Sequence, residues 1–320
     1  MQAFDRFIEA ADKSNREIAG LMRELEIDIA VDLKGFTGES RTGIFALRPA
    51  PIQVNYLGYP GTMGAPYIDY LIADPFLIPD DRRNAYSEKI VYLPDTYQAN
   101  DKTRPIAAAA PSRAEAGLPK EGFIFCSFNS NYKITPDLFD VWMRLLREIE
   151  GSVFWLLQGN VAAADNLRRE AVARGIAADR LVFAPRMKLE DHLARHRLAD
   201  LFVDTCYCNA HTTASDALWA GLPVLTCASA TFAGRVAGSL LRAIGLPELI
   251  THSLADYEAL ALDLARVPTR LAAIRRRLAQ NRDTFPLFDA ARVARHIEAA
   301  YRGMWERHQR GMPPESFPVG

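Results

Sequence analysis

Hydrophobic positions along the chain recur with two different periods. Between residues 3 and 25, Phe4, Phe7, Ile8, Ile18, Leu21, Met22 and Leu25 fall largely on one stripe, which predicts an amphipathic helix. The run IDIAVDL (27–33) reads as a buried parallel strand and ends in the glycine loop KGFTGES. A short helix is expected near 42–47. The stretch RPAPIQVNYLGYPGTMGAP (48–66) contains a strand-like run, IQVNYL, and then LGYPGTMGA, a loop that needs special backbone angles. YIDYLIADP (67–75) and KIVYLP (89–94) read as further strands. The segment 96–117 has a loose composition, and the domain boundary is expected inside it.

Beyond that segment, apolar runs and helical patterns alternate. Strands are expected at 123–129, 153–158, 181–185, 201–205 and 223–227, and helices at 136–149, 162–174, 189–197 and 213–220. A last helix is expected at 290–308. Such alternation means a parallel, doubly wound α/β sheet. The expected division is 1–110, 111–285, and a C-terminal helix over 286–320 packing back on the first domain. No repeat of fixed period is visible.

Composition narrows the function classes. With 320 residues, 49% hydrophobic, 24% charged and a net charge of -1, the chain has the make-up of an ordinary globular protein. There is no basic excess to release counterions, so neither nucleic acid nor an anionic membrane is an expected partner. The charged, amphipathic N-terminus is neither a signal peptide nor an anchor. Cys126, Cys206, Cys208 and Cys227 form no Cys-x-x-Cys pair and read as small buried residues of a reducing compartment, so a cytoplasmic location is expected.

Ligands of doubly wound sheets bind beyond the carboxyl ends of the strands, which selects five loops. After strand 123–129, Lys133 precedes a helix start with Thr135 as cap and Pro136 in its first turn. This lysine is placed either to reach a phosphate or to sit solvated on the loop. After 181–185, His192 and His196 lie four apart on one helix face, without the third ligand a metal would need; His192 can instead stack on a base. After 201–205, the small-residue segment Asn209–Ser215 enters a helix. Free amides there, with the hydroxyls of Thr212 and Thr213, suit a diphosphate, and Asp216 one turn on could accept from ribose hydroxyls. Plain helix capping explains the threonines and Asp216 but not His211. The loops 35–40 and 57–65 could offer amides, Thr37 and Thr62 to a sugar, or simply be turns. No Asp-x-Asp, P-loop or Gly-x-Ser-x-Gly motif occurs, so no metal clamp is expected. All six histidines lie at or after His192, leaving the first domain without a histidine base.

The segments RPAPIQVNYLGYPGTMGAPYIDYLIAD (48–74), YSEKIVYLP (86–94), FNSNYKITPD (128–137) and LADLFVDTCYCNAHTTASDALWAGLPVLT (198–226) resemble the catalytic region of the O-GlcNAc transferases and their SPINDLY-type O-fucosyltransferase relatives. The resemblance implies a GT-B fold of two Rossmann-like domains. It also implies metal-independent, inverting transfer of N-acetylglucosamine from UDP-GlcNAc to serine or threonine hydroxyls of an acceptor protein, with no cofactor. By the same resemblance Lys133 would neutralise the leaving diphosphate as the catalytic group. Asn129 and Ser130 would lie along the nucleotide, and His192 and Arg195 would contact the uridine. His211, Thr212 and Thr213 would hold the diphosphate and Asp216 the ribose, while Thr37 and the loop Leu57, Gly58, Pro60, Thr62 would border the sugar. Family members start this region with a further strand and a histidine-bearing loop, and carry upstream TPR repeats. The first domain is therefore expected to be incomplete and the chain N-terminally truncated. The alternatives are transfer of fucose from GDP-fucose, or a truncated nucleotide-binding protein without transferase activity.

Overall fold

A computed structural model describes residues 4–320. The chain divides into two compact units, one running to Tyr97 and resuming at Val293–Gly320, the other spanning Gln98–Arg292. The first opens with helix α1 (Asn15–Glu24) and continues with strands β1 (Ile29–Asp32), β2 (Ile52–Asn55), β3 (Tyr70–Ala73) and β4 (Lys89–Tyr92). Of the helix predicted over 3–25, residue 3 lies outside the described residues, and among residues 4–25 the helix is confined to the second half. Ser14 stops it from starting earlier: its hydroxyl accepts from the Glu17 amide, and the Glu17 carboxylate accepts from the Ser14 amide, a closed capping box. The short helix expected near 42–47 is a single 3-10 turn, Phe45–Leu47.

The second unit follows the predicted alternation closely. It comprises β5 (Ile124–Ser127), α2 (Pro136–Glu148), β6 (Val153–Leu157), α3 (Val161–Ala173), β7 (Leu181–Ala184), α4 (Leu189–Arg195), β8 (Leu201–Val203), α5 (Thr212–Trp219), β9 (Val224–Cys227), α6 (Val236–Ala243), β10 (Ile250–Thr251), α7 (Leu254–Arg266) and α8 (Pro268–Asn281). Helix α9 (Ala290–Gln309) and a two-residue strand β11 (Phe317–Pro318) close the chain. β11 adds itself to β4 in parallel; no alternation in the tail sequence announces it.

All pairings in both sheets are parallel. The first sheet has the order β1-β2-β3-β4-β11, running one way along the chain. The second has the order β10-β9-β8-β5-β6-β7. Counted within the unit, that is 3-2-1-4-5-6, a doubly wound order whose reversal falls between β5 and β8. Side chains of β5 and β8 are buried on both faces, with Phe125, Phe154 and Trp142 stacked in succession behind them. The reversal point is therefore a rigid floor, and the loops leaving it are the place to look for a site.

The boundary near 110 that composition suggested moves to 97/98, because residues 98–108 are bonded into the second unit. Asn100 donates to the Leu287 carbonyl, the Ala107 amide donates to the Glu190 carbonyl, and Arg197 donates to the carbonyls of Ala107 and Ala108. The boundary near 285 moves to 292/293, because Leu287 and Phe288 are fully buried in the second unit's core.

Candidate functional site

The site builds outward from Asp204, which follows β8 and is completely buried. One of its oxygens accepts from the amides of Thr205 (2.7 Å) and Ala210 (2.6 Å) and from Asn129 Nδ2 (3.0 Å); the other accepts from Thr226 Oγ1 at 2.7 Å. One carboxylate thus ties the ends of β5, β8 and β9 together across the reversal point. Burial still pushes its pKa up to about 6, against the downward pull of those four donors. Asp204 was not singled out in the sequence, although a lone aspartate closing an apolar strand run was its visible signal.

The loop after β8 hangs on this anchor. Thr205 Oγ1 donates to the Cys208 carbonyl (2.7 Å), and Asn209 Nδ2 donates to the Thr205 carbonyl (2.7 Å). Lys133, at the end of a 3-10 turn after β5, donates from Nζ to the Asn209 carbonyl at 2.8 Å. Its ammonium is thereby held against the segment that enters α5. Asn129 completes the bridge, since Thr213 Oγ1 donates to its Oδ1 at 2.7 Å. Both ends of the Asn129 amide are therefore used within the protein. Ser130 is half-buried, and Thr212, in the first turn of α5, is exposed.

His211, not a threonine, occupies the cap position of α5, and no side chain caps the helix there. Its Nε2 lies 3.3 Å from the Ala233 carbonyl, which requires the proton on Nε2. Burial, and then the Lys133 charge, lower its pKa to about 4, so the ring is neutral near pH 7. The arrangement offers an anion the amides of the first turn of α5, a neutral imidazole and one ammonium. The cap expected from Thr135 on α2 is absent as well: its hydroxyl donates to the Asp137 carboxylate instead.

The two residues expected to contact the base, His192 and Arg195, are bonded to each other. Arg195 is buried, with its guanidinium 4.3 Å from the Phe128 ring centre. It donates to the Pro185 carbonyl (2.6 Å) and to His192 Nδ1 (2.5 Å). Its guanidinium is thus used within the protein, where it holds the His192 ring. His192 is lowered to about 4 by burial and then by Arg195, and fully buried His196 to about 3 by burial and then by His192. His196 packs its ring 5.2 Å from Phe128 and donates to the His192 carbonyl at 2.8 Å.

Asp216 is buried and pairs with Arg104, which also donates to Ser215 Oγ at 3.3 Å. Arg104 lies in the segment whose composition looked loose, and nothing in its periodicity marked it. A cavity of about 550 Å3 opens over the ends of β5 and β6, lined by Ser130, Tyr132, Gly159, Asn160 and Arg186 among others; Lys133 and His211 are not in its wall.

In the first unit, Thr37 is half-buried and donates to the Lys34 carbonyl (2.9 Å), and Thr62 donates to buried Glu88 (2.6 Å). Leu57 is exposed in the left-handed region (φ 73°), and Pro60 is half-buried. Gly58 sits so close to the loop after β1 that an added Cβ would lie 2.1 Å from the Leu33 carbonyl oxygen. Both threonine hydroxyls are used in shaping their loops. Among the described residues, no helix is long and apolar enough to cross a membrane.

The sequence profile described as glycosyl transferase family 41 matches residues 1–108 and 98–297. The chain belongs to this family. It is 40% identical over 98% of its length to the protein of Arabidopsis thaliana named "Probable UDP-N-acetylglucosamine--peptide N-acetylglucosaminyltransferase SEC". A rice relative (Oryza sativa subsp. japonica) named as a probable transferase of the same kind, SPINDLY, is 34% identical over 93% of the chain. The family-41 chain spans about a third of the length of these relatives (33% and 32%). Among solved structures, a mutant of the Thermobaculum terrenum O-GlcNAc transferase superimposes with a TM-score of 0.85 at 32% identity, covering 94% of this chain and 57% of that one. Its GT-B architecture is therefore the one this family-41 chain shares.

Proposed function

We propose that this chain is the sugar-transferring region of a protein O-GlcNAc transferase, moving N-acetylglucosamine from UDP-GlcNAc to a serine or threonine hydroxyl with inversion and without a metal. The observation that carries the reading is the placement of Lys133 and His211 against the first turn of α5, at the reversal of a 3-2-1-4-5-6 sheet. Relatives whose names specify UDP-N-acetylglucosamine and a peptide support the choice of donor and acceptor.

In this reaction the acceptor oxygen attacks the anomeric carbon on the face opposite the diphosphate. A new carbon–oxygen bond forms as the bond to the β-phosphate breaks, UDP departs with the electron pair, and the hydroxyl proton is released. Negative charge builds on the diphosphate in the transition state. Lys133 is the catalytic residue that meets it, with the α5 amides, Thr212 and Thr213 beside it, which is the role a metal plays elsewhere. Neutral His211 donates rather than repels. His192, held by Arg195, faces the base, and Asn129, Ser130 and Asp216 serve the nucleoside. Thr37 and the loop Leu57, Gly58, Pro60, Thr62 serve the sugar. Four free thiols fit a cytoplasmic setting. In a longer form, upstream repeats would select the acceptor protein.

The reading is tested by incubating the chain with UDP-GlcNAc and a serine- and threonine-rich peptide pool in EDTA. The expected result is UDP release with a β-linked N-acetylhexosamine on the peptides, removable by a β-hexosaminidase. Transfer that requires added metal, an α-linked product, or no transfer at all would contradict it.

A further inference from the structure

Residues 98–108 form a strap along the second unit, and its bonds converge on α5. Ser215 Oγ donates to Asn100 Oδ1 at 2.6 Å, and Asn100 in turn donates to the Leu287 carbonyl at 3.2 Å. Trp219 Nε1 donates to the Arg104 carbonyl at 3.0 Å, so the backbone of the strap is fixed beside the helix. From that fixed point the Arg104 guanidinium reaches back to bond the Asp216 carboxylate through one nitrogen and Ser215 Oγ through the other. Arg104 and Asp216 have 15% and 7% of their side chains exposed, so this pair is shielded from solvent and from salt. Only one Asp216 oxygen is bonded to Arg104 in this way.

A buried carboxylate serves as a hydroxyl acceptor only while it is ionised and aimed. Desolvation acts on Asp216 in the opposite sense and leaves its pKa raised, and the Arg104 charge and hydrogen bond are what oppose that rise. A guanidinium also fixes geometry that an ammonium does not, because its two nitrogens are rigidly spaced and here bond two neighbouring helix residues at once. We propose that Arg104 is a positioning residue for nucleoside recognition: clamped to Ser215 and to one oxygen of Asp216, it holds the carboxylate ionised with its other oxygen presented to the ribose hydroxyls of the donor. The inference rests on the reading of Asp216 as the ribose contact. It gives a function to the strap, a segment that composition alone marks as a linker.

The test is calorimetric binding of UDP and of 2′,3′-dideoxy-UDP to the wild-type chain and to the Asp216→Asn, Arg104→Gln and Arg104→Lys variants, with thermal unfolding run alongside. The wild type should prefer UDP by about tenfold, the worth of a hydrogen bond to a charged acceptor. Asp216→Asn and Arg104→Gln should each bring that preference to within about twofold, while Arg104→Lys, which restores the charge without the fork, should keep a measurable part of it. If Arg104→Gln weakens both nucleotides equally and keeps the wild-type preference, Arg104 is only a structural tie and the proposal is overturned. If Arg104→Lys loses as much as Arg104→Gln, the retained charge counts for nothing and the ionisation argument fails. A wild-type preference in Asp216→Asn, or no nucleotide binding by the wild type, removes the reading of Asp216 and the proposal with it.

Discussion

Each unit has an aspartate closing a parallel strand, and the two are used differently. Asp204, after β8, accepts from a residue just beyond β5, from one on β9 and from its own loop, with both oxygens occupied. Asp32, ending β1, accepts from the amides of Lys34 and Gly35 just beyond it, through a single oxygen; among the described residues its second oxygen is buried without a partner. In the second unit, then, strand ends are cross-linked by side chains far apart in sequence, and the loop 205–211 inherits the rigidity of three strands. In the first unit no single carboxylate joins three strand ends in this way among the described residues: Asp32 shapes its own turn, Leu57 is left-handed, Gly58 packs on the Leu33 carbonyl, and Glu88 accepts from Thr62 and the Met63 amide of one loop. Preorganised donors around a developing charge need the first arrangement. Turn chemistry suffices to border a ligand.

The comparison can be broken most sharply at Asp204. Asp204→Ala leaves four buried donors without an acceptor and should cost about 4 kcal/mol in urea unfolding, with loss of UDP binding. A variant that keeps wild-type stability would show that the cross-link is not what holds the loops. Gly58→Ala should cost about 2 kcal/mol by forcing the loops after β1 and β2 apart, while UDP, which lacks the sugar, binds unchanged. Equal loss of UDP binding in both variants would erase the distinction between the two loop types.

Acid should act on the second unit first. His192, His196 and His211 are held near 4, 3 and 4, below the roughly 6.5 of an unfolded histidine, so the unfolded chain binds more protons in that window. Their stabilisation is complete above about pH 6.5 and is lost as pH falls toward 4. Asp204, raised to about 6, has the opposite sign and offsets part of the loss. Asp216, also raised by burial, acts in the same sense as Asp204, yet the three histidines outweigh the two aspartates, and stability should fall between pH 6 and 5 by on the order of 2 kcal/mol. A flat profile of urea midpoints would contradict the burial of these rings. The smallest effect is expected at α1, where Ser14→Ala should cost about 1 kcal/mol and leave nucleotide binding untouched.

The alternation of apolar runs with helical stretches made the second unit legible almost strand by strand, because each buried parallel strand is a short unbroken apolar run. The strand-end rule then pointed to Lys133 and to the His211–Asp216 segment. What stayed hidden depends on pairing over long distances. β11 is two residues long and exists only because β4 offers it an edge. Arg104 meets Asp216 from 112 residues away, and no local pattern encodes that. Asn129 and Arg195 are readable as residues near strand ends, but their bonds to Asp204 and His192, which turn them inward, are not.

The central claim, that Lys133 and the first turn of α5 form a metal-free site for the diphosphate of a uridine nucleotide, is tested most directly by calorimetric titration with UDP and GDP in EDTA. The wild-type chain should bind UDP in preference to GDP, and Lys133→Ala, while still unfolding cooperatively, should bind it at least about tenfold more weakly. Binding unaffected by Lys133→Ala, or a preference for GDP, would contradict the account.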